Sequence, residues 1–161
     1  MPLSRGHVDD YRLHFKTPDD LSKWKEVVSG SILASRLPWT LSAHSGGGAI
    51  AARSIDPDDS SLDRVILLDA TYDSETPLFF NSWLARAQDP QQPRTLEIFS
   101  VTPPTARHSK KVFLTGTAEI NGFTLTVKTP HAHLIREIRT DTQFDHYSIV
   151  PARWDLEGRT P

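Results

Sequence analysis

Seven histidines are the side chains of this 161-residue chain best suited to chemistry near neutral pH, because imidazole titrates there without being perturbed. Two of them stand in His131-Ala132-His133-Leu134-Ile135-Arg136-Glu137. On a β-strand, positions 131, 133 and 137 share a face, so two imidazoles and a carboxylate would converge on a metal ion. On a helix, successive residues turn by about 100°, which sets His131 and His133 roughly 200° apart. His133 and Glu137 would then form an i,i+4 surface pair. Thr129-Pro130 is a helix-start cue, and Leu134, Ile135 and Ile138 follow at helical spacing, which favours the second geometry. A different chemistry is offered by His44-Ser45-Gly46-Gly47-Gly48, whose closely spaced backbone amides could stabilise a developing oxyanion. The same glycines also suit a plain turn between two strands. Asp56, Asp58, Asp59 and Asp63 supply hard oxygens, but lack the glycine and terminal glutamate of a calcium loop and read as a solvated acidic loop. Arg107-His108-Ser109-Lys110-Lys111 reads as a soluble approach to a strand.

The His131/His133/Glu137 spacing resembles the first metal-binding motif of cupins, in which His-x-His is followed after three residues by Glu. That resemblance implies a metal-dependent enzyme holding its ion on these three side chains. It covers about seven residues. Phe144 stands where the family's trailing glycine would fall, and no second motif follows Glu137. His44-Ser45-Gly46-Gly47-Gly48 resembles the His-Gly-rich oxyanion loop of esterases. The chain has no Gly-x-Ser-x-Gly elbow, so that resemblance comes without a nucleophile.

These groups must be positioned by short elements, since 12 prolines and 8 glycines divide the chain. The sharpest local signal is a hairpin over 111–128 turning at Asn121-Gly122, a dipeptide suited to positive φ. A two-residue turn there pairs Ile120 with Phe123, and gathers Val112, Leu114, Gly116, Ala118, Ile120, Phe123, Leu125 and Val127 on one apolar face. Gly116 reads as a bulge or a close backbone approach. Thr17-Pro18-Asp19-Asp20 opens a helix carrying Leu21, Trp24, Val27 and Val28 and ending at Gly30. Thr76-Pro77 opens another, with Phe79, Phe80, Trp83, Leu84 and Ala87 as its stripe. Strands are expected at Tyr11–Phe15, Trp39–His44, Ala49–Ile55, Val65–Ala70, Leu96–Val101 and His146–Val150, with polar connectors at 88–94 and 102–109. Tyr11–Pro18 aligns without gaps on Phe123–Pro130, which fits either a duplicated strand–helix unit or repeated punctuation. The pattern predicts one α+β domain over 1–161 with its core at about 8–154. It would be a mainly antiparallel, curved sheet or partial barrel carrying two or three short helices.

Composition bounds function. The net charge of −2 argues against general nucleic-acid or membrane-surface binding, and the absence of cysteine excludes thiolate chemistry and disulfides. No apolar run reaches the roughly 18 residues of a membrane span, and residues 1–20 hold no signal-peptide core. A cytoplasmic domain is expected. The expected function is binding of a small molecule in an apolar concavity lined by Phe80, Trp83, Leu125 and Trp39. His14, His44, Arg136 and Tyr147 would orient the ligand or catalyse a cofactor-independent isomerisation or cyclisation. Alternatives are the metal enzyme at His131, His133 and Glu137 and a protein-interaction or inhibitor domain, the latter suggested by an acidic first half and a basic second half. Cofactor identity and homodimerisation are left open by the residues.

Overall fold

In the computed structural model, residues 15–30, 38–140 and 145–150 are described. Four helices and six strands follow in the order α1 (Pro18–Ser29), β1 (Trp39–His44), α2 (Gly47–Ser54), β2 (Leu62–Leu68), α3 (Glu75–Ala85), β3 (Arg94–Ser100), α4 (Pro103–Ser109), β4 (Thr117–Asn121), β5 (Thr124–Lys128) and β6 (Ala132–Ile138). They form one six-stranded sheet in the order β1-β2-β3-β6-β5-β4.

The fold is α+β as expected, but its sheet is mixed. β1, β2, β3 and β6 pair in parallel, and the β6–β5 and β5–β4 pairings are antiparallel. Helices α2 and α3 make the crossovers β1–α2–β2 and β2–α3–β3. The central strands therefore lie between two apolar layers, and read as unbroken runs such as Val65-Ile66-Leu67-Leu68. On one face Val65, Leu67, Leu96, Ile98 and Leu134 pack with Ile55, Phe80, Trp83 and Leu84. On the other, Ile66, Leu68, Phe99 and Val101 pack with Ile149.

Three local expectations change. Residues 49–55 lie mainly in α2, because Ala49-Ile50-Ala51-Ala52 are adequate helix formers and bury Ile50 and Ala51. Residues 103–109 form α4 rather than a connector, opened by Thr102-Pro103-Pro104. Residues 146–148 form a turn instead of a strand. The expected strand at 11–15 lies outside the described residues apart from Phe15.

The hairpin forms over 117–128 and not from 111, so Val112 and Leu114 lie outside its first arm, and its turn is moved by one residue. Asn121 pairs with Thr124 and Ile120 with Leu125, so Gly122 and Phe123 are the central residues. Only Gly122 needs a positive φ (58°), matching glycine at the first central position of a II′ turn. The pairing slips by two residues, which keeps Ala118, Ile120, Leu125 and Val127 on one face while Phe123 leaves it. That face is not a single wall of the interior: Val127 is buried, but β4 is an edge strand exposed along its length, with Ile120 77% exposed. Phe123 instead lies under the Arg139 guanidinium at 4.6 Å. Gly116 marks a close backbone approach, since a Cβ there would stand 2.3 Å from the Lys128 carbonyl oxygen. Among the described residues, no helix is long and apolar enough to cross a membrane.

Candidate functional site

The C-terminal ends of β1 and β2 leave the sheet at the same level, His44 standing beside Leu68 in the register. The next residue of each strand is Ser45 on one side and Asp69 on the other. Both have positive φ, 56° and 44°, and they are the non-glycine residues with that conformation among those described. Side chains adopt this region at a cost of about 1–3 kcal/mol, so two such residues side by side mark a place where local geometry is overruled by the surroundings.

Ser45 is the pivot between β1 and α2. Its amide donates to the Leu68 carbonyl at 3.2 Å, pinning the turn to the end of β2, and its own carbonyl accepts from the Gly48 amide at 3.3 Å. Gly48 allows α2 to start this close to the sheet: a Cβ there would fall 1.9 Å from the Ala70 carbonyl oxygen. Three consecutive glycines thus build a tight strand-to-helix turn with a serine at its apex.

The Asp69 carboxylate is fully buried and fully bonded. Oδ1 accepts from the amides of Val101 (2.9 Å) and Thr102 (3.1 Å), from the Thr102 hydroxyl (3.2 Å) and from the Thr105 hydroxyl. Oδ2 accepts from the Tyr72 hydroxyl at 3.1 Å and from His146 Nδ1 at 2.7 Å. Burial alone would push this carboxyl up. The hydrogen bonds of Thr105, His146, Val101 and Thr102 outweigh it and hold the pKa at about 2, so the group is ionised at neutral pH. A further bond from the Thr71 hydroxyl to the Thr105 carbonyl, 2.9 Å, ties the segment after β2 to α4. Burial, reinforced by the Asp69 charge, raises the Tyr72 phenol above its usual range, which keeps it a donor.

His146 reaches Asp69 from the segment 145–150. Asp145 Oδ1 accepts the Tyr147 and Ser148 amides and shapes the turn, while Ile149 buries itself against Ile66, Leu68, Phe99 and Val101. Because a carboxylate only accepts, Nδ1 carries the proton, and in the neutral ring Nε2 is left with a free lone pair. His44, next to Ser45, completes the cluster. Its ring lies 4.5 Å from that of His146 at 31°, and its Nε2 is 2.6 Å from the His146 carbonyl oxygen. A serine at a strained strand–helix turn, an imidazole with one nitrogen free and a buried carboxylate holding the other are the residue types that nucleophilic acyl chemistry uses, here brought to the ends of β1 and β2.

Of the residues singled out from the sequence, His44 and Tyr147 lie at this cluster. Tyr147 is 79% exposed, its ring 5.1 Å from that of His146. Arg136 is instead tied to carbonyls, donating to Ser109 (3.2 Å) and Val112 (2.9 Å). His14 lies outside the described residues. Phe80 and Trp83 are fully buried in the core and pack edge to face at 6.2 Å. Leu125 packs against the same core, and Trp39 lies against Trp24 and under the Lys25 ammonium. The stretch holding His131, His133 and Glu137 is largely strand, with β6 beginning at Ala132. Even so, among the described residues no three His, Cys, Asp or Glu side chains group so that they could hold a metal ion. Asp69, Tyr72, Thr102 and Thr105 escaped the sequence reading, as did any role for the Ser45 side chain. The signal for it was Ala43-His44-Ser45-Gly46-Gly47, an elbow pattern with alanine in its first position, followed by an apolar strand ending in aspartate.

No protein-family model, curated protein or solved structure matches the chain.

Proposed function

We propose that this protein is a serine hydrolase that transfers the acyl group of an ester or related carbonyl compound to water. Ser45 is the nucleophile, His146 the general base and acid, and Asp69 the carboxylate that orients the imidazole. The observation carrying this reading is the 2.7 Å contact between Asp69 Oδ2 and His146 Nδ1, made beside a serine held at positive φ between strand and helix. The chain order Ser, Asp, His and the placement of the serine on a strand–turn–helix are those of the nucleophile elbow of α/β-hydrolases.

In this reaction Ser45 Oγ attacks the substrate carbonyl carbon while His146 Nε2 takes the hydroxyl proton. The tetrahedral intermediate collapses, its carbon–oxygen bond to the leaving group breaks, and His146 returns the proton to the departing alcohol. Water, deprotonated by the same nitrogen, then attacks the acyl-serine carbonyl; the bond to Ser45 Oγ breaks, His146 returns the proton to that oxygen, and the carboxylic acid leaves. Asp69 stays ionised throughout and stabilises the imidazolium. The Gly46 amide, which follows the nucleophile, is the donor that elbow geometry directs toward the oxyanion. The small-molecule partner expected from the sequence enters here as the acyl substrate.

A fluorophosphonate probe, which phosphonylates activated serines, tests this directly. Intact-mass measurement should show one adduct, peptide mapping should place it on Ser45, and Ser45→Ala should remove both the adduct and any p-nitrophenyl acetate hydrolysis. Folded protein that takes up no probe, or takes it up elsewhere, would refute the assignment.

A further inference from the structure

We infer that His44 is a positioning residue that fastens His146, and with it the segment 145–150, onto the turn bearing Ser45. Its effect on rate rests on the hydrolase reading; the contact itself does not.

His44 is the last residue of β1, so its backbone is fixed by pairing with Leu68. Its Nε2 lies 2.6 Å from the His146 carbonyl oxygen. A carbonyl can only accept, so His44 donates from Nε2. The two rings also overlap at 4.5 Å and 31°. His44 therefore grips His146 at its backbone and at its ring plane.

The other restraints on His146 do not supply the second of these. The bond from Nδ1 to Asp69 fixes one atom of the imidazole and leaves the plane free to swing about that contact. Tyr72 and Tyr147 stand steeply to the ring, at 5.8 Å and 79° and at 5.1 Å and 74°, and the Tyr72 hydroxyl is 3.1 Å from the same Nδ1. The Asp145 turn is internal to the segment, and Ile149 anchors it three residues further on. Of these rings only His44 lies near-parallel to the imidazole and closest to it, so its face restrains the plane in which Nε2 points. Proton transfer needs that direction, since displacements of about 1 Å from reactive geometry cost on the order of 10²-fold in rate. His44 acts through His146 and needs no contact with substrate.

The test uses the full chain with His44→Ala, His44→Gln and His44→Phe, read in p-nitrophenyl acetate kinetics, fluorophosphonate labelling and amide hydrogen exchange. In His44→Ala, kcat should fall by roughly 10²-fold with KM nearly unchanged. Exchange at the Tyr147 and Ser148 amides should quicken while the melting temperature holds. His44→Gln keeps a donor for the His146 carbonyl and should slow the exchange again; His44→Phe keeps only the stacked ring and should not. Retained kcat with unchanged exchange in His44→Ala would overturn the inference, as would equal exchange in the Gln and Phe variants. The latter pair decides the matter should the alanine variant not fold. If the unsubstituted protein takes up no probe, the hydrolase reading fails by itself and exchange alone decides whether His44 fastens the segment.

Discussion

Replacing Asp69 by asparagine leaves the shape of the site intact and reverses the two hydrogen bonds made at Oδ2. The amide oxygen of the new side chain is required on the Oδ1 side, where the Val101 and Thr102 amides and two threonine hydroxyls all donate. Its NH2 group must then face His146 Nδ1 and the Tyr72 hydroxyl, in the place of Oδ2. Donor meets donor. The imidazole relieves this by moving its proton to Nε2, and loses the lone pair that would deprotonate Ser45. Holding the productive tautomer against two facing donors costs about 1.5 kcal/mol. Losing the carboxylate's attraction for the imidazolium, with charge centres about 4 Å apart and an effective dielectric constant near 20, costs about 4 kcal/mol more. The barrier should rise by about 5–6 kcal/mol, which is about 10⁴-fold in kcat/KM and in line with this substitution in other Ser-His-Asp enzymes. The variant should also lose about 2 kcal/mol of stability, since a native pKa of about 2 against an ordinary 3.8 reflects that much preference for the ionised form. Circular dichroism should nevertheless report the same fold. Hydrolysis of p-nitrophenyl acetate, corrected for folded fraction, measures the first effect. An Asp69→Asn protein keeping more than about a tenth of the wild-type kcat/KM would refute the roles given to Asp69 and His146.

Two further substitutions probe the frame around the site. Gly48→Ala places a methyl group 1.9 Å from the Ala70 carbonyl oxygen, a backbone atom that cannot rotate away. It should cost about 3 kcal/mol or more, seen in thermal melting, and should move the Ser45 turn enough to suppress probe labelling of the protein that stays folded. Thr105→Val removes a hydroxyl that holds the Asp69 pKa down, so the native pKa should rise from about 2 toward 3.8. A depressed carboxylate contributes stability that is complete above its unfolded pKa and disappears as pH falls toward the native value. The variant should therefore be about 1 kcal/mol less stable at neutral pH. Its share of the acid unfolding between about pH 4 and 2 should shift to higher pH, as followed by circular dichroism during acid titration.

What could be read from the sequence was local. Thr17-Pro18-Asp19-Asp20 and Gly30 bound α1 because capping and left-handed termination are decided within a turn; the Asp20 carboxylate accepts the Thr17 amide, and Gly30 has φ 68°. Asn121-Gly122 located the hairpin to within one residue for the same reason. The Thr-Pro cue was ambiguous. It opens α1 and α4, yet Thr129 Oγ1 accepts the His131 and Ala132 amides and turns the chain into β6 instead. Parallel pairing left no local trace, because β1 meets β2 only across a helix and a strand buried on both faces loses its alternation. The glycine run hid the site for a related reason. Glycines suit a hairpin as well as a helix start, and only the packing of Gly48 on Ala70 selects the second. Asp69 and His146 are 77 residues apart, a distance over which spacing carries no signal.

The two halves of the Asp69–His146 pair are held by very different means. The carboxylate is caged by Val101 and Thr102 just after β3, by Thr105 in α4 and by Tyr72 in the segment that follows β2. The imidazole rides on a short stretch fixed by a buried isoleucine, a stacked ring and a few polar contacts. A polar substitution in that stretch would therefore loosen the imidazole long before it disturbed the carboxylate, and under the proposed function the rate would be more fragile than the fold.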